Sequence, residues 1–263
     1  MWTPRVSIVT PSFNQAQFLP QTLRSVREQD YPDIEHIVVD GGSTDGAVEI
    51  LRGAPKIRWV SESDRGQVHA LNKGFALAAG DVLAWLNSDD TMNSNAVSTA
   101  VAALHETGAD LVYGDVEIVD EQGRLVKLSR GIPFDLCVLL YGINYIGQQT
   151  VFFRRDLLQR AGPLREEFDN GFDYELWLRF AEHGRFAYTP GLRAQIRRHP
   201  GAKSVARNEV TQSDVERIRR DYWRHGGWPA LFQKRPLFLL PNYWYRLKRH
   251  LKARLEKAPV STR

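Results

Sequence analysis

The sequence predicts an α/β fold with a mostly parallel central sheet flanked by helices and a helical C-terminal tail. Up to about residue 128, short β-branched apolar runs alternate with amphipathic stretches of helical spacing, the pattern of strand and crossover helix. The runs stop abruptly at clusters of Pro, Gly, Ser, Asn and Asp, as strands do where they deliver the chain to a ligand-binding edge. A chain of 263 residues, 43% hydrophobic and 25% charged, is long and apolar enough to build one large core and is not the composition of a disordered chain.

The elements follow in order. Residues 5–10 form a β-branched strand that breaks at Pro11, and Asn14 is placed to cap a helix over 16–29 with Phe18, Leu19, Leu23 and Val26 on one stripe. Residues 34–39 are the second strand, followed directly by Asp40-Gly41-Gly42-Ser43-Thr44-Asp45-Gly46. The glycines permit close backbone approach to a ligand, and Ser43 or Asp45 can cap the next helix. Asp40 either accepts hydrogen bonds from a base or ribose or serves the turn. Neither a Gly-x-Gly-x-x-Gly fingerprint nor a P-loop is present. A third strand covers 57–60, then a polar loop and a helix over 67–79 in which Lys73 either meets a phosphate or is solvated. Further on come a helix over 95–104, strands at 110–113 and 116–119, a turn at 120–123 and a returning strand at 124–128. Residues 132–145 read as an apolar loop, 151–153 as a strand, and a short helix starts at about Asp156.

The chain is organised around residues 82–90. An apolar run, 82–86, reads as a buried parallel strand and ends in Asn87, Ser88, Asp89 and Asp90. Two adjacent carboxylates at the mouth of a buried strand call for a counter-charge, and hard divalent cations take oxygen ligands. The alternative is capping of the helix that follows.

A second carboxylate, Asp173, opens a helix over 172–180. It either favours that helix N-terminus or acts as a general base held on a rigid element. Glu175, two residues on, suits a salt bridge. The basic loop 197–204 follows a strand at 192–196 and suits a diphosphate, with His199 either structural or a third metal ligand. The single cysteine, Cys137, excludes an intrachain disulfide, fits a reducing compartment and reads as a core residue. No apolar signal segment precedes the first strand, and no uninterrupted apolar run reaches the roughly 20 residues of a spanning helix.

Together these motifs resemble an inverting family 2 glycosyltransferase of the GT-A fold, with a Rossmann-like sheet, of the type used in bacterial polysaccharide synthesis. The resemblance rests on residues 6–14, 40–46, Glu62 through Gly66, Asn72-Lys73-Gly74, 87–90 and 173–179, which fall in the family's order. It implies that Thr10, Pro11, Ser12, Asn14 and Asp40 hold the nucleotide and that Asp64, Arg65 and Lys73 line the donor pocket, with Asn87 and Ser88 beside them. It further implies that Asp89 and Asp90 form the acidic motif for Mn2+ or Mg2+ and that Asp173 is the catalytic base. Asn87 stands where the family's acidic motif usually opens with Asp, and Phe172 stands where many relatives carry an acid. The implied donor is a UDP-, dTDP- or GDP-sugar and the acceptor a saccharide or a lipid-linked saccharide, with Gln148 facing it.

The expected division is a catalytic domain at 1–207 and a basic, aromatic extension at 208–263. The formal charge is +4, with the excess late in the chain, where leucines at helical spacing and aromatic clusters accompany Arg and Lys. That pattern suits contact with an anionic membrane, hence a cytoplasmic protein peripheral on the inner membrane face, and not nucleic acid. Two other readings stay open on residues alone. A nucleotidyltransferase would carry a glycine-rich basic loop after the first strand, and a non-catalytic nucleotide-sugar- or saccharide-binding protein would not need three intact carboxylates.

Overall fold

The computed structural model describes residues 2–168, 170–203 and 208–225. In chain order the elements are β1 (Val6–Ser12), α1 (Leu19–Arg27), β2 (Ile34–Asp40), α2 (Ala47–Gly53), β3 (Ile57–Ser61), α3 (Gln67–Leu77), β4 (Val82–Trp85), β5 (Thr91–Met92), α4 (Ala96–Thr107), β6 (Leu111–Val119), β7 (Leu125–Ser129), α5 (Leu136–Tyr141), a single 3-10 turn at Gln148–Thr150, β8 (Phe152–Arg154), α6 (Arg155–Ala161), α7 (Phe172–Ala181), β9 (Phe186–Arg197) and α8 (Asn208–His225).

The sheet runs β3-β2-β1-β4-β8-β6-β9-β5, with β7 added to β6. Its first four strands are parallel, as the strand and helix alternation predicts. In their register Ser12 pairs Asp40 and Asp40 pairs Ser61, so β1 to β3 end together, while β4 ends at Trp85 opposite Val9, and the polar loops of all four gather at one edge. Both faces of this half are covered, and β1 and β4 are buried throughout. Alternation sends Val9, Leu83, Trp85 and Phe153 to one side, against Leu71 and Phe75 of α3 and Trp177 of α7. Ile8, Val82, Ala84 and Phe152 face the other side, against Val97, Val101 and Leu104 of α4. Trp85 stacks on Trp177, with centroids 5.3 Å apart and planes at 21°, which joins the central strand to the helix carrying Asp173.

Several expectations change on contact with tertiary structure. The first helix starts at Leu19, because Pro20 is tolerated only in a first turn. Asn14 does not cap it. It adopts φ 51°, donates its backbone N–H to Ser43 Oγ and accepts from the Thr44 N–H, so it laces the β1 loop to the β2 loop. Asp45 takes the N–H groups of both Ala16 and Ala47, ahead of α1 and at the start of α2. The strands expected at 110–113 and 116–119 are one, β6, with a register shift where β9 carries extra residues. Gly114 sits at that shift, where a Cβ would collide with the Leu192 carbonyl oxygen. The apolar stretch 132–145 holds a short helix, α5, capped by Asp135, which accepts from the Val138 N–H. Val138, Leu139 and Leu140 turn inward from it, whereas Cys137 is exposed and not a core residue. Residues 208–225 form the helix α8, and residues 226–263, including the aromatic and basic tail, lie outside the described residues.

Candidate active site

The loop after β2 is organised by Asp40. Its carboxylate accepts from the backbone N–H of Gly42 and Ser43 at 3.1 and 2.9 Å, from Ser61 Oγ at 2.7 Å and from Ser43 Oγ at 2.5 Å. Asp40 is fully buried, so it shapes the turn that presents Gly41. A Cβ on Gly41 would lie 2.8 Å from Asp64 Oδ2, so only glycine lets this backbone approach the Asp64 carboxylate. Asp64 also accepts from the Gly66 N–H at 2.8 Å, at the entrance to α3.

The acidic pair after β4 divides its work. Neither aspartate caps α4, whose N-cap is Asn95. Asp90 is buried and accepts from Gln149 Nε2 at 2.8 Å, Asn87 Nδ2 at 3.1 Å and the Arg197 N–H at 3.0 Å. Burial, followed by the neighbouring Asp89 carboxylate, pushes its carboxyl well above the usual range. Asp89 is more open: its Oδ2 lies 3.1 Å from His199 Nε2, and that imidazole packs against the Phe18 ring at 4.6 Å. Arg197, read from sequence as a loop cation, is buried. It donates to the backbone carbonyls of Asp89 and Glu121 and to Gln21 Oε1, locking the acidic loop to the end of β9.

Asp173 lies in the first turn of α7. Its Oδ1 accepts from the Tyr174 N–H at 2.7 Å and its Oδ2 from Asn144 Nδ2 at 3.3 Å. Burial raises its carboxyl to about 6, against the opposing pull of these bonds and of Lys203. Glu175 forms the expected ion pair, with Arg179 at 2.8 Å, and does not reach the site.

These groups open onto one cleft of about 1330 Å³, lined among others by Ser12, Asp64, Asp89, Gln148, Asp173 and Lys203. Pro11, Asn87, Ser88 and Asp90 line it as well. Ser12 Oγ is buried there and, among the described residues, has no hydrogen-bond partner. Gln148 has both ends of its amide engaged, donating to the Trp85 carbonyl and accepting from Asn87. Five expected donor residues, Thr10, Asn14, Asp40, Arg65 and Lys73, do not line the cleft. Thr10 is buried and hydrogen-bonded to His36 at 2.9 Å, and Asp40 is spent on its own turn. Arg65 is exposed and paired through two bonds with Glu166, and Lys73 pairs with Glu62. Sequence patterning offered no reason to single out Asn144 or Gln149, because each acts on a carboxylate distant in the chain.

Among the described residues no three His, Cys, Asp or Glu side chains converge as a metal cage, so the expected trio Asp89, Asp90 and His199 is not assembled as such. The Asp89 and His199 pair still fits a hard divalent ion that completes its shell with substrate phosphates and water, since such ions commonly use one or two protein ligands.

Comparison with known proteins places these observations. The model of "Glycosyl transferase family 2" matches residues 7–163. An uncharacterized glycosyltransferase of Mycobacterium tuberculosis is 39% identical over 186 residues, 68% of this chain and 69% of that protein. A PGL/p-HBAD biosynthesis glycosyltransferase of Mycobacterium bovis is 38% identical over 171 residues, 62% of this chain and 64% of that one. Among solved structures, S. aureus TarS 1-349 in complex with UDP-GlcNAc superposes with a TM-score of 0.70 at 19% identity, covering 92% of this chain and 73% of that one. The mannosyltransferase PcManGT from Pyrobaculum calidifontis, in complex with GDP-Man and Mn2+, gives 0.67 at 23% identity, covering 92% and 70%. The fold is the GT-A fold, the nucleotidyltransferase and binding-protein readings fall away, and the chain belongs to glycosyltransferase family 2.

Proposed function

We propose that this glycosyltransferase moves a sugar from a nucleotide-sugar to a hydroxyl of a saccharide or lipid-linked acceptor, with inversion and with Mn2+ or Mg2+ bound. The observation that carries the reading is that Asp89, beside His199, and Asp173, raised by burial, open onto the same cleft. Asp89 and His199 would hold the ion. When bound, such an ion offsets negative charge on a diphosphate leaving group. Ser12 Oγ, Asp64 and the Gly41 backbone are placed to receive the donor's polar groups. Asp173 takes the proton of the acceptor hydroxyl as its oxygen bonds to the anomeric carbon. The bond from that carbon to the phosphate oxygen breaks, and its electron pair leaves with the nucleoside diphosphate. A single displacement needs no enzyme nucleophile and inverts the anomeric centre.

UDP-GlcNAc and GDP-Man, the donors bound by the two structural neighbours, are the first to try, with dTDP-sugars next. The relatives' names point to cell-surface glycans: besides PGL/p-HBAD biosynthesis, an O-antigen biosynthesis protein of Myxococcus xanthus is 35% identical over 191 residues, 68% of this chain and 14% of that protein. The test is release of nucleoside diphosphate from each donor with a mixed glycolipid fraction as acceptor. Release should need the metal and fail in Asp173→Asn. Undiminished turnover in that variant would remove Asp173 from the chemistry.

We also propose that the chain beyond α8 touches an anionic membrane from the cytoplasmic side. Basic residues with leucines at helical spacing at 246–255, preceded by aromatics at 237–245, support this. No helix of the described residues is long and apolar enough to cross a membrane. Flotation with phosphatidylglycerol liposomes should be lost when the chain is truncated at Gly226, and equal flotation would count against the idea.

A further inference from the structure

Helix α8 supports the acceptor side of the cleft from behind. Its Ile218 is buried, and a Cβ added to Gly171, the N-cap of α7, would lie 2.9 Å from Ile218 Cδ1 and 3.0 Å from Asp214 Cβ. Asp214 Oδ2 accepts from the Asn170 N–H at 3.1 Å, one residue before that cap. Val215 of α8 lines the cleft itself.

Arg219 makes the connection that reaches Asp173. One arm of its guanidinium donates to the Gly142 carbonyl oxygen at 2.7 Å, closing the turn after α5. Its Nε donates to Tyr174 Oη at 3.1 Å, on the residue next to Asp173. Tyr174 Oη in turn donates to the Leu139 carbonyl at 3.0 Å, inside α5. Arg219 therefore ties the end of α5 to the start of α7. Two residues beyond Gly142 stands Asn144, whose amide donates to Asp173 at 3.3 Å. That bond is long for its type, so a displacement of a few tenths of an ångström between the two segments decides whether it forms.

Resting on the assignment of Asp173 as the base, we propose that Arg219 is a positioning residue for Asp173, fixing the turn that presents Asn144 against the helix that presents the carboxylate. A guanidinium suits this task because its planar fork serves two acceptors at fixed spacing, whereas an ammonium is a point charge on a flexible stem. The groups around Asp173 are the Asn144 amide from the turn after α5, the Tyr174 N–H on α7 and the Lys203 charge from the segment after β9. Asp214 and Arg219 approach from α8 behind them.

The test reads Asp173 directly in the full chain, by ¹³C carboxyl NMR titration, with the resonance assigned by its loss in Asp173→Asn. Arg219→Gln is expected to raise the titration midpoint of Asp173 by about half a pH unit, because the carboxylate loses a donor. Arg219→Lys is expected to raise it as well, since the charge stays and the fork is lost. In an Asn144→Ala background Arg219→Gln should add nothing, because both changes remove the same bond. An unmoved midpoint in Arg219→Gln, full rescue by lysine, or full additivity with Asn144→Ala would each overturn the proposal. Should Arg219→Gln fail to fold by circular dichroism, Tyr174→Phe removes one of the two acceptors and is judged by the same criteria. The midpoint is read without turnover, so a failure of Asp173 as base, seen as retained transfer in Asp173→Asn, is a separate result.

Discussion

Replacing the two adjacent aspartates one at a time should give opposite phenotypes. Asp90→Ala strands three buried donors, on Gln149, Asn87 and the Arg197 backbone. Each unsatisfied donor costs about 1–3 kcal/mol. Against this stands relief of the buried carboxyl's own desolvation and of its repulsion by Asp89. The net is a loss on the order of 3 kcal/mol, a large share of the roughly 5–15 kcal/mol available to a domain. At about 2–4 °C per kcal/mol for a chain of this size, Tm falls by about 10 °C. Among the described residues the Asp89 carboxylate makes one hydrogen bond, at 3.1 Å to His199, and its side chain is 18% exposed, so Asp89→Ala should stay within about 1 kcal/mol. It should instead abolish metal-dependent turnover. Urea denaturation followed by the fluorescence of buried Trp85 and Trp177 measures both, provided the slope with denaturant is unchanged. Equal destabilisation by the two substitutions, or an unchanged midpoint in Asp90→Ala, would refute this division of roles.

Three further outcomes follow from the same coordinates. Asp173→Asn should lower transfer by at least about 10²-fold while donor affinity is kept, and the wild-type rate should fall as pH drops below about 6, where Asp173 takes up its proton. His36 is buried and held down to about 4 by desolvation, so it stays neutral in the fold while the unfolded chain protonates near 6.5. Its contribution is therefore full above about pH 6.5 and declines by about 3 kcal/mol as pH falls toward 4, a slope that urea melts should find flattened in His36→Gln. Arg65→Ala should leave donor affinity unchanged in calorimetry, because that side chain is exposed and faces Glu166 rather than the cleft.

Much of the parallel half was legible in the chain. Strands at 5–10, 34–39, 57–60 and 82–86 carry their own β-branched runs and stop at polar loops, and they lie within a residue or two of the observed β1 to β4. The second half was less legible, because its elements depend on partners distant in sequence. β5 is two residues long and exists through its pairing with β9, and α5 hides in an apolar run whose helical turn is announced mainly by the Asp135 cap. The same distinction separates the site residues. Asp89 and Asp173 announce themselves by an abrupt change of polarity after a strand and at a helix start. That Thr10 turns toward His36, Arg65 toward Glu166 and Arg197 into the core depends on pairings 26 to 176 residues apart, which no local pattern encodes.

The most direct test of a metal-dependent nucleotide-sugar site in this cleft is titration calorimetry of the full chain with UDP-GlcNAc, GDP-Man and their nucleoside diphosphates, in Mn2+ and then in EDTA. Binding of one nucleotide class that disappears with EDTA, and that Asp89→Ala abolishes in Mn2+, is the predicted result. Binding that survives both EDTA and Asp89→Ala would contradict the assignment of Asp89 and His199 as the metal-holding pair.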